Sequence, residues 1–265
     1  MKVFRFPGLF LLFIGIAPFA LSIPAVYSQE QDEPPQRANA RNVLGDLSTA
    51  FSVGKTIQNV RISGYASWYA GSLEDSGTVT LTASADGSSQ MQLLLGGSGK
   101  RTETQAGVGS NATCSWAGAD GITHEVRSGS CWRPVLWFLP ALSLQTSSLS
   151  GSLRVVDLGM GTVGGSTNIH RHLQSQITLS DVPDALATDV MQQSKTEIGL
   201  DPISHLPTTL TYSVRPDSGA QVAIAIEVHY SDYRTVDGVQ IPFLIQRYVN
   251  GSLQLEIHIN SAEIN

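Results

Sequence analysis

From Ala38 to Phe51 the apolar residues Val43, Leu44, Leu47 and Phe51 recur at helical spacing. That spacing predicts an amphipathic helix of about three turns, stopping near Gly54. The period then drops to two. Val60, Ile62, Ala66 and Trp68 alternate with Arg61, Ser63, Tyr65 and Ser67, Val79, Leu81 and Ala83 alternate with threonines, and Met91, Leu93 and Leu95 share one side. Gly, Ser and Asp clusters separate these runs, as expected of antiparallel strands with one apolar face. Strand-like runs return at 153–158, 170–179 and 210–214.

The last forty residues are the most informative. Val222, Ile224, Ile226, Val228 and Tyr230 share one face, as do Val239, Ile241, Phe243, Ile245 and Val249. A two-residue turn at Asp237-Gly238 pairs Val236 with Val239, Tyr230 with Ile245 and Ile226 with Val249, and brings both apolar sets to one side. The same turn at Asn250-Gly251 would send Leu253, Leu255, Ile257 and Ile259 to the opposite face, because a one-residue slip inverts a strand. A three-residue loop, Val249 to Gly251, corrects this and sets Ile245 opposite Leu255 and Phe243 opposite Ile257. Pro242 donates no ladder bond and marks a bulge or an unpaired position. Arg247 falls on the apolar side, either snorkelling at the sheet rim or pointing inward to fix a polar group of a ligand.

CWRPVLWFLPALSL (131–144) breaks the alternation. It predicts one or two short apolar helices, with Pro134 in a first turn and Pro140 kinking or ending the segment. DVPDALATDVMQQ predicts a brief helix opening near Pro183. Upstream, residues 1–28 have the charge, apolar run and small-residue ending of a secretory signal, and QEQDEPPQR (29–37) reads as an exposed linker. Residues 38–265 are then one domain of mainly β, α+β class. In an exported chain Cys114 and Cys131 are expected to pair.

Net charge −6 and a charged fraction of 14% argue against a nucleic-acid partner. G-x-S-x-G, H-E-x-x-H and phosphate-loop patterns are absent. His170 and His172 share a strand face with Gln174 and Gln176, which suits a metal pair or an ordinary solvated face. GMGTVGG (159–165) reads as a flexible turn. Asp181 and Asp184 read as helix caps rather than a carboxylate pair.

LDPISHLPTTLTY (200–212) places Asp-Pro and then Leu-Pro ahead of a strand. YSDYRTVDGVQIPF (230–243) carries D-Y-x-x-x-x-G-x-x-x-P. Both resemble segments of the Lol-type outer-membrane lipoprotein carriers and their lipoprotein-sorting relatives. The order of elements, a helix, strands, helices and more strands, fits the same family. The resemblance implies a strongly curved antiparallel sheet forming an incomplete β-barrel, apolar helices covering its opening, and a cavity for acyl chains.

The expected function is therefore an exported, periplasmic or secreted protein that binds a lipid or lipoprotein acyl group, with an envelope protein as a further partner, no cofactor and no catalytic residue. Candidate lining residues are Trp68, Leu81, Leu93, Trp137, Phe138, Phe243, Ile245 and Arg247; each apolar one is equally an ordinary core residue. The rival expectations are a solid-cored structural or interaction module and a secreted hydrolase assembled only in three dimensions. A low aromatic share, 7%, speaks against an outer-membrane barrel.

Overall fold

The computed structural model of the protein describes residues 35–52, 55–107, 112–126, 131, 136–147, 153–165, 167–178, 184–215 and 222–265. The expected signal (1–28), most of the expected linker, Trp132, Pro134, Asp181 and Pro183 lie outside the described residues. Among those described, no helix is long and apolar enough to cross a membrane.

The chain runs through α1 (Pro35–Phe51), β1 (Asn59–Ala70), β2 (Leu73–Ser84), β3 (Ser89–Leu95), β4 (Gly99–Ala106), β5 (Thr113–Ala117) and β6 (Thr123–Glu125). It continues through α2 (Pro140–Ser147), β7 (Leu153–Gly161), β8 (His170–Ile177) and α3 (Asp184–Gln193). β9 (Thr196–Leu200), β10 (Pro207–Val214), β11 (Ile224–Val236), β12 (Val239–Val249) and β13 (Ser252–Ile264) complete it. The strands form one antiparallel sheet in the order β6-β5-β4-β3-β2-β1-β13-β12-β11-β10-β9-β8-β7. β6 and β7 are its two edges and do not pair, so the sheet is an incomplete barrel. The connection from β6 to β7 must pass from one edge to the other, and it carries α2.

Period-two residues facing the concave side form the core. Ile62, Leu81, Leu93, Ile245 and Ile257 are fully buried there and join one cluster with Leu47 and Phe51 of α1 and with Leu136–Leu142. The sheet wraps around its own apolar face and the helices close it, which removes that face from water. α1 begins at Pro35, three residues earlier than expected. Proline suits a first turn because the N–H it lacks would have no helical partner. The same reason corrects the expectation for Pro140, which opens α2 rather than ending a helix. Ser143 Oγ accepts from the Leu136 N–H (2.9 Å) and donates to Pro140 O (3.0 Å), tying the entry to the helix. The Tyr230 hydroxyl donates to Trp137 O and pins the segment into the sheet.

The β11–β12 hairpin has the register expected: Val236 opposes Val239, Tyr230 opposes Ile245 and Ile226 opposes Val249. Asp237 and Gly238 both have positive φ, 49° and 81°, as a type I′ turn requires. The ladder skips the Asp232–Phe243 pair next to Pro242, where Asp232 has φ 53°. The second hairpin differs from expectation. Asn250-Gly251 is also a two-residue turn, with φ 48° and 79°, and Val249 opposes Ser252. The extra residue sits beyond the turn, as a bulge between the Tyr248–Leu253 and Arg247–Leu255 pairs. Ile245 therefore opposes Ile257, not Leu255. Parity demanded one inserted residue, but parity alone does not say where the insertion falls.

A carboxylate fixes the β3–β4 turn. Asp75 accepts from the N–H groups of Gly97 (3.1 Å) and Ser98 (2.5 Å). The Ser98 hydroxyl first, then these N–H groups, lower the Asp75 pKa from 3.8 to about 2. A carboxyl more acidic folded than unfolded adds stability above its unfolded value, and that stability is lost as the pH falls through about 2. Asp75→Asn is expected to flatten the pH dependence of the denaturation midpoint between 3.8 and about 2. An unchanged slope would remove this role.

Candidate functional site: a cavity at the open end of the sheet

The concave face is not filled along its whole length. Beneath Trp137 and Phe138 lies a cavity of about 350 Å³, within the range of small-molecule sites. The ends of β10–β12 supply Tyr212, Ile224, Ile226 and Val249; β1 and β3 supply Trp68 and Met91; β4 and β5 supply Arg101, Glu103, Gln105 and Trp116. All three described tryptophans, Trp68, Trp116 and Trp137, line it.

Aromatic rings and guanidinium groups alternate along one wall. Arg247 Cζ lies 4.6 Å from the Trp137 ring centroid and 5.9 Å from that of Trp68. Arg101 Cζ lies 4.5 Å from Trp68 and 5.8 Å from Trp116, and Trp116 stacks on His124 at 4.2 Å. Such contacts hold a guanidinium flat against an indole and leave its in-plane N–H donors to face other groups.

Arg247 settles the oddity of the register: it is only 6% exposed, so it does not snorkel at the rim. Its Nη1 and Nη2 donate to the two Glu103 oxygens at 2.9 and 3.0 Å. Burial works to lower the Arg247 pKa, and the Glu103 carboxylate outweighs it through charge and hydrogen bonding, for a net rise. Among the described residues, Arg247 Nε is buried without a hydrogen-bond partner. A buried donor left unsatisfied costs about 1–3 kcal/mol, so the site holds a donor that a ligand oxygen would satisfy.

Of the residues expected to line a site, Trp68, Trp137, Phe138 and Arg247 border this cavity. Leu81, Leu93, Phe243 and Ile245 do not; they are buried in the core cluster elsewhere on the concave face. Period two identifies the inward face of a strand and carries no information on which stretch of that face is packed solid. Sequence reading missed β4 and β5 altogether. In β4 the inward positions are Arg101, Glu103 and Gln105, so no apolar alternation marks the strand. The readable signal is a two-residue alternation of these long polar side chains with Lys100, Thr102 and Thr104.

Cys114, on the cavity wall, forms the expected disulfide with Cys131, with Cα atoms 5.7 Å apart and a sequence separation of 17. Reduction is expected to lower stability by about 3 kcal/mol, read as a shift in denaturant midpoint with and without reductant. No shift would mean the bridge constrains nothing the fold does not already hold.

The other candidates lie on the convex face. His170 is buried, against the expected solvated face, and its Nδ1 is 2.8 Å from Thr208 Oγ1. Burial first lowers its pKa, with Asp201 opposing. His172 Nε2 lies 3.5 Å from Glu197. Among the described residues no three His, Cys, Asp or Glu side chains converge on a metal position. The glycine run is not a free turn: Val163 is buried, and the Gly165 N–H donates to both Glu227 carboxylate oxygens at 3.0 and 2.9 Å, which straps the loop over the sheet. That strap explains the burial of His170. Asp184 lies in the first turn of α3, where a carboxylate complements the helix dipole.

No family model and no curated protein matches the sequence. Among solved structures the fold is similar to that of a DUF1329 family protein from Desulfovibrio piger, with a TM-score of 0.53 and 10% identity, over 87% of this chain and 93% of that one. It is equally similar to a putative outer membrane lipoprotein-sorting protein domain from Vibrio parahaemolyticus, with a TM-score of 0.53 and 8% identity, over 86% of this chain and 93% of that one. At such identities the likeness is one of fold. The distant resemblance to lipoprotein-sorting proteins carried by two short segments thus extends over the architecture of most of the chain.

Proposed function

We propose that this chain is an exported, non-enzymatic protein of the bacterial cell envelope that holds a lipid or lipoprotein acyl chain in the cavity beneath Trp137 and Phe138. The observation that carries the proposal is the cavity itself. It lies on the concave face of the sheet, and aromatic and aliphatic side chains, Trp68, Phe138, Ile226 and Val249 among them, line it beside the polar side chains of β4. Each buried methylene contributes about 0.8 kcal/mol, so one chain supplies useful affinity with no reactive group. The fold of the lipoprotein-sorting domain supports the same reading, and the signal-like residues 1–28 support export. A solid-cored structural module is disfavoured by the cavity, and among the described residues no three His, Cys, Asp or Glu side chains converge to support a metal-dependent hydrolase.

The test uses the lining tryptophans. Titration with a medium-chain acyl glyceride is expected to change their emission with one-to-one saturation. Ile224→Trp, which adds bulk inside the cavity, is expected to weaken binding on the order of ten-fold, equivalent to about 1.4 kcal/mol. No saturable change in the unaltered protein, or equal binding by the filled variant, would refute the assignment.

A further inference from the structure

The chain carries net charge −6, yet the described residues lining this one cavity set Arg101 and Arg247 against one carboxylate, Glu103. A pocket meant only for hydrocarbon has no use for this excess of positive charge. The charge is also fixed in place: Arg101 Cζ and Arg247 Cζ lie 4.5 and 5.9 Å from the Trp68 ring centroid. Glu103 occupies Nη1 and Nη2 of Arg247, and the buried Nε–H of the same guanidinium has no acceptor among the described residues.

We propose that the cavity recognises an anionic amphiphile, a single molecule whose carboxylate or phosphate is received by Arg101 and Arg247 while its acyl chain lies along Phe138, Ile226 and Val249. The inference deepens the acyl-binding reading and rests on it. An anion supplies an acceptor oxygen for the buried Arg247 Nε–H and counter-charge for the Arg101–Arg247 pair, which shares one lining carboxylate, Glu103, among the described residues. Charge-assisted hydrogen bonds from guanidinium to carboxylate or phosphate are among the stronger ones, and the low-dielectric surroundings strengthen them further. The aliphatic wall excludes a small inorganic anion as the whole ligand, because it would leave that wall wet.

Competition binding to the delipidated full chain tests this with four probes: palmitate, palmitoyl-lysophosphatidate, monopalmitoylglycerol and inorganic phosphate. At least one anionic amphiphile is expected to bind on the order of ten-fold more tightly than monopalmitoylglycerol, and the tighter of the two identifies carboxylate or phosphate. Arg101→Gln is the variant of choice because Arg101 is half-buried and its loss breaks no ion pair among the described residues; it is expected to erase most of that preference. Equal affinity for charged and neutral acyl probes would overturn the anionic head while leaving the acyl site standing. Inorganic phosphate binding as tightly as palmitoyl-lysophosphatidate would overturn the amphiphile. A preference unchanged by Arg101→Gln would overturn the assignment to this arginine pair. Failure of every acyl probe would overturn the acyl-binding reading and this inference together.

Discussion

Glu103→Leu is expected to destabilise the protein by about 3 kcal/mol, and the double variant Glu103→Leu/Arg247→Met to recover most of that loss. The single change leaves Arg247 buried against Trp137 and Trp68 with no counter-charge. The double change removes both charges from the interior and replaces them with apolar groups of similar reach. Buried ion pairs often behave this way: breaking one is costly, and replacing the whole pair is close to neutral. Denaturant midpoints of the wild type, both single variants and the double variant give the coupling directly. A single-variant loss under about 1 kcal/mol would put the pair in the class of surface ion pairs. Recovery in the double variant would also show that stability does not require the pair, which leaves ligand recognition as the reason for placing charge in the interior.

Gly77→Val is expected to cost about 3 kcal/mol or more, because the strand crossing there leaves no room for a side chain. A Cβ at Gly77 would lie 1.9 Å from Leu94 O and 2.9 Å from Leu95 Cα, both backbone atoms of the neighbouring strand that cannot rotate away. Gly64, at the β1–β13 irregularity, meets His258 O at 2.2 Å in the same way. These inward-facing glycines let the sheet coil tightly enough to wrap its own core. Gly45 in α1 is the control: nothing lies within 4 Å of its Cβ position, so Gly45→Ala is expected to raise stability by up to about 1 kcal/mol. Thermal or denaturant unfolding of the two variants separates them. A Gly77→Val protein as stable as wild type would mean the strands are further apart than described.

How much of this was legible in the sequence depends on what each residue faces. The β11–β12 hairpin was readable to the residue because Asp237-Gly238 fixes a turn type and both flanking strands alternate cleanly. The next hairpin was readable in parity only: the face of Leu255 and Ile257 demanded one extra residue, and Asn250-Gly251 hid its position at the bulge. Arg247 announced itself by falling on an apolar face, but its partner Glu103 lies 144 residues away, and no spacing rule connects them. β4 was invisible for the same reason that it matters. A strand whose inward residues line a polar cavity lacks the hydrophobic signature by which strands are found, so the pattern fails where the candidate site is.

Native mass spectrometry of the protein gently extracted from the envelope of its own host tests the central claim most directly. The account predicts a population carrying one acyl-bearing molecule per chain, released when the protein is unfolded. A clean ligand-free mass, with no acyl species recovered on unfolding, would contradict it.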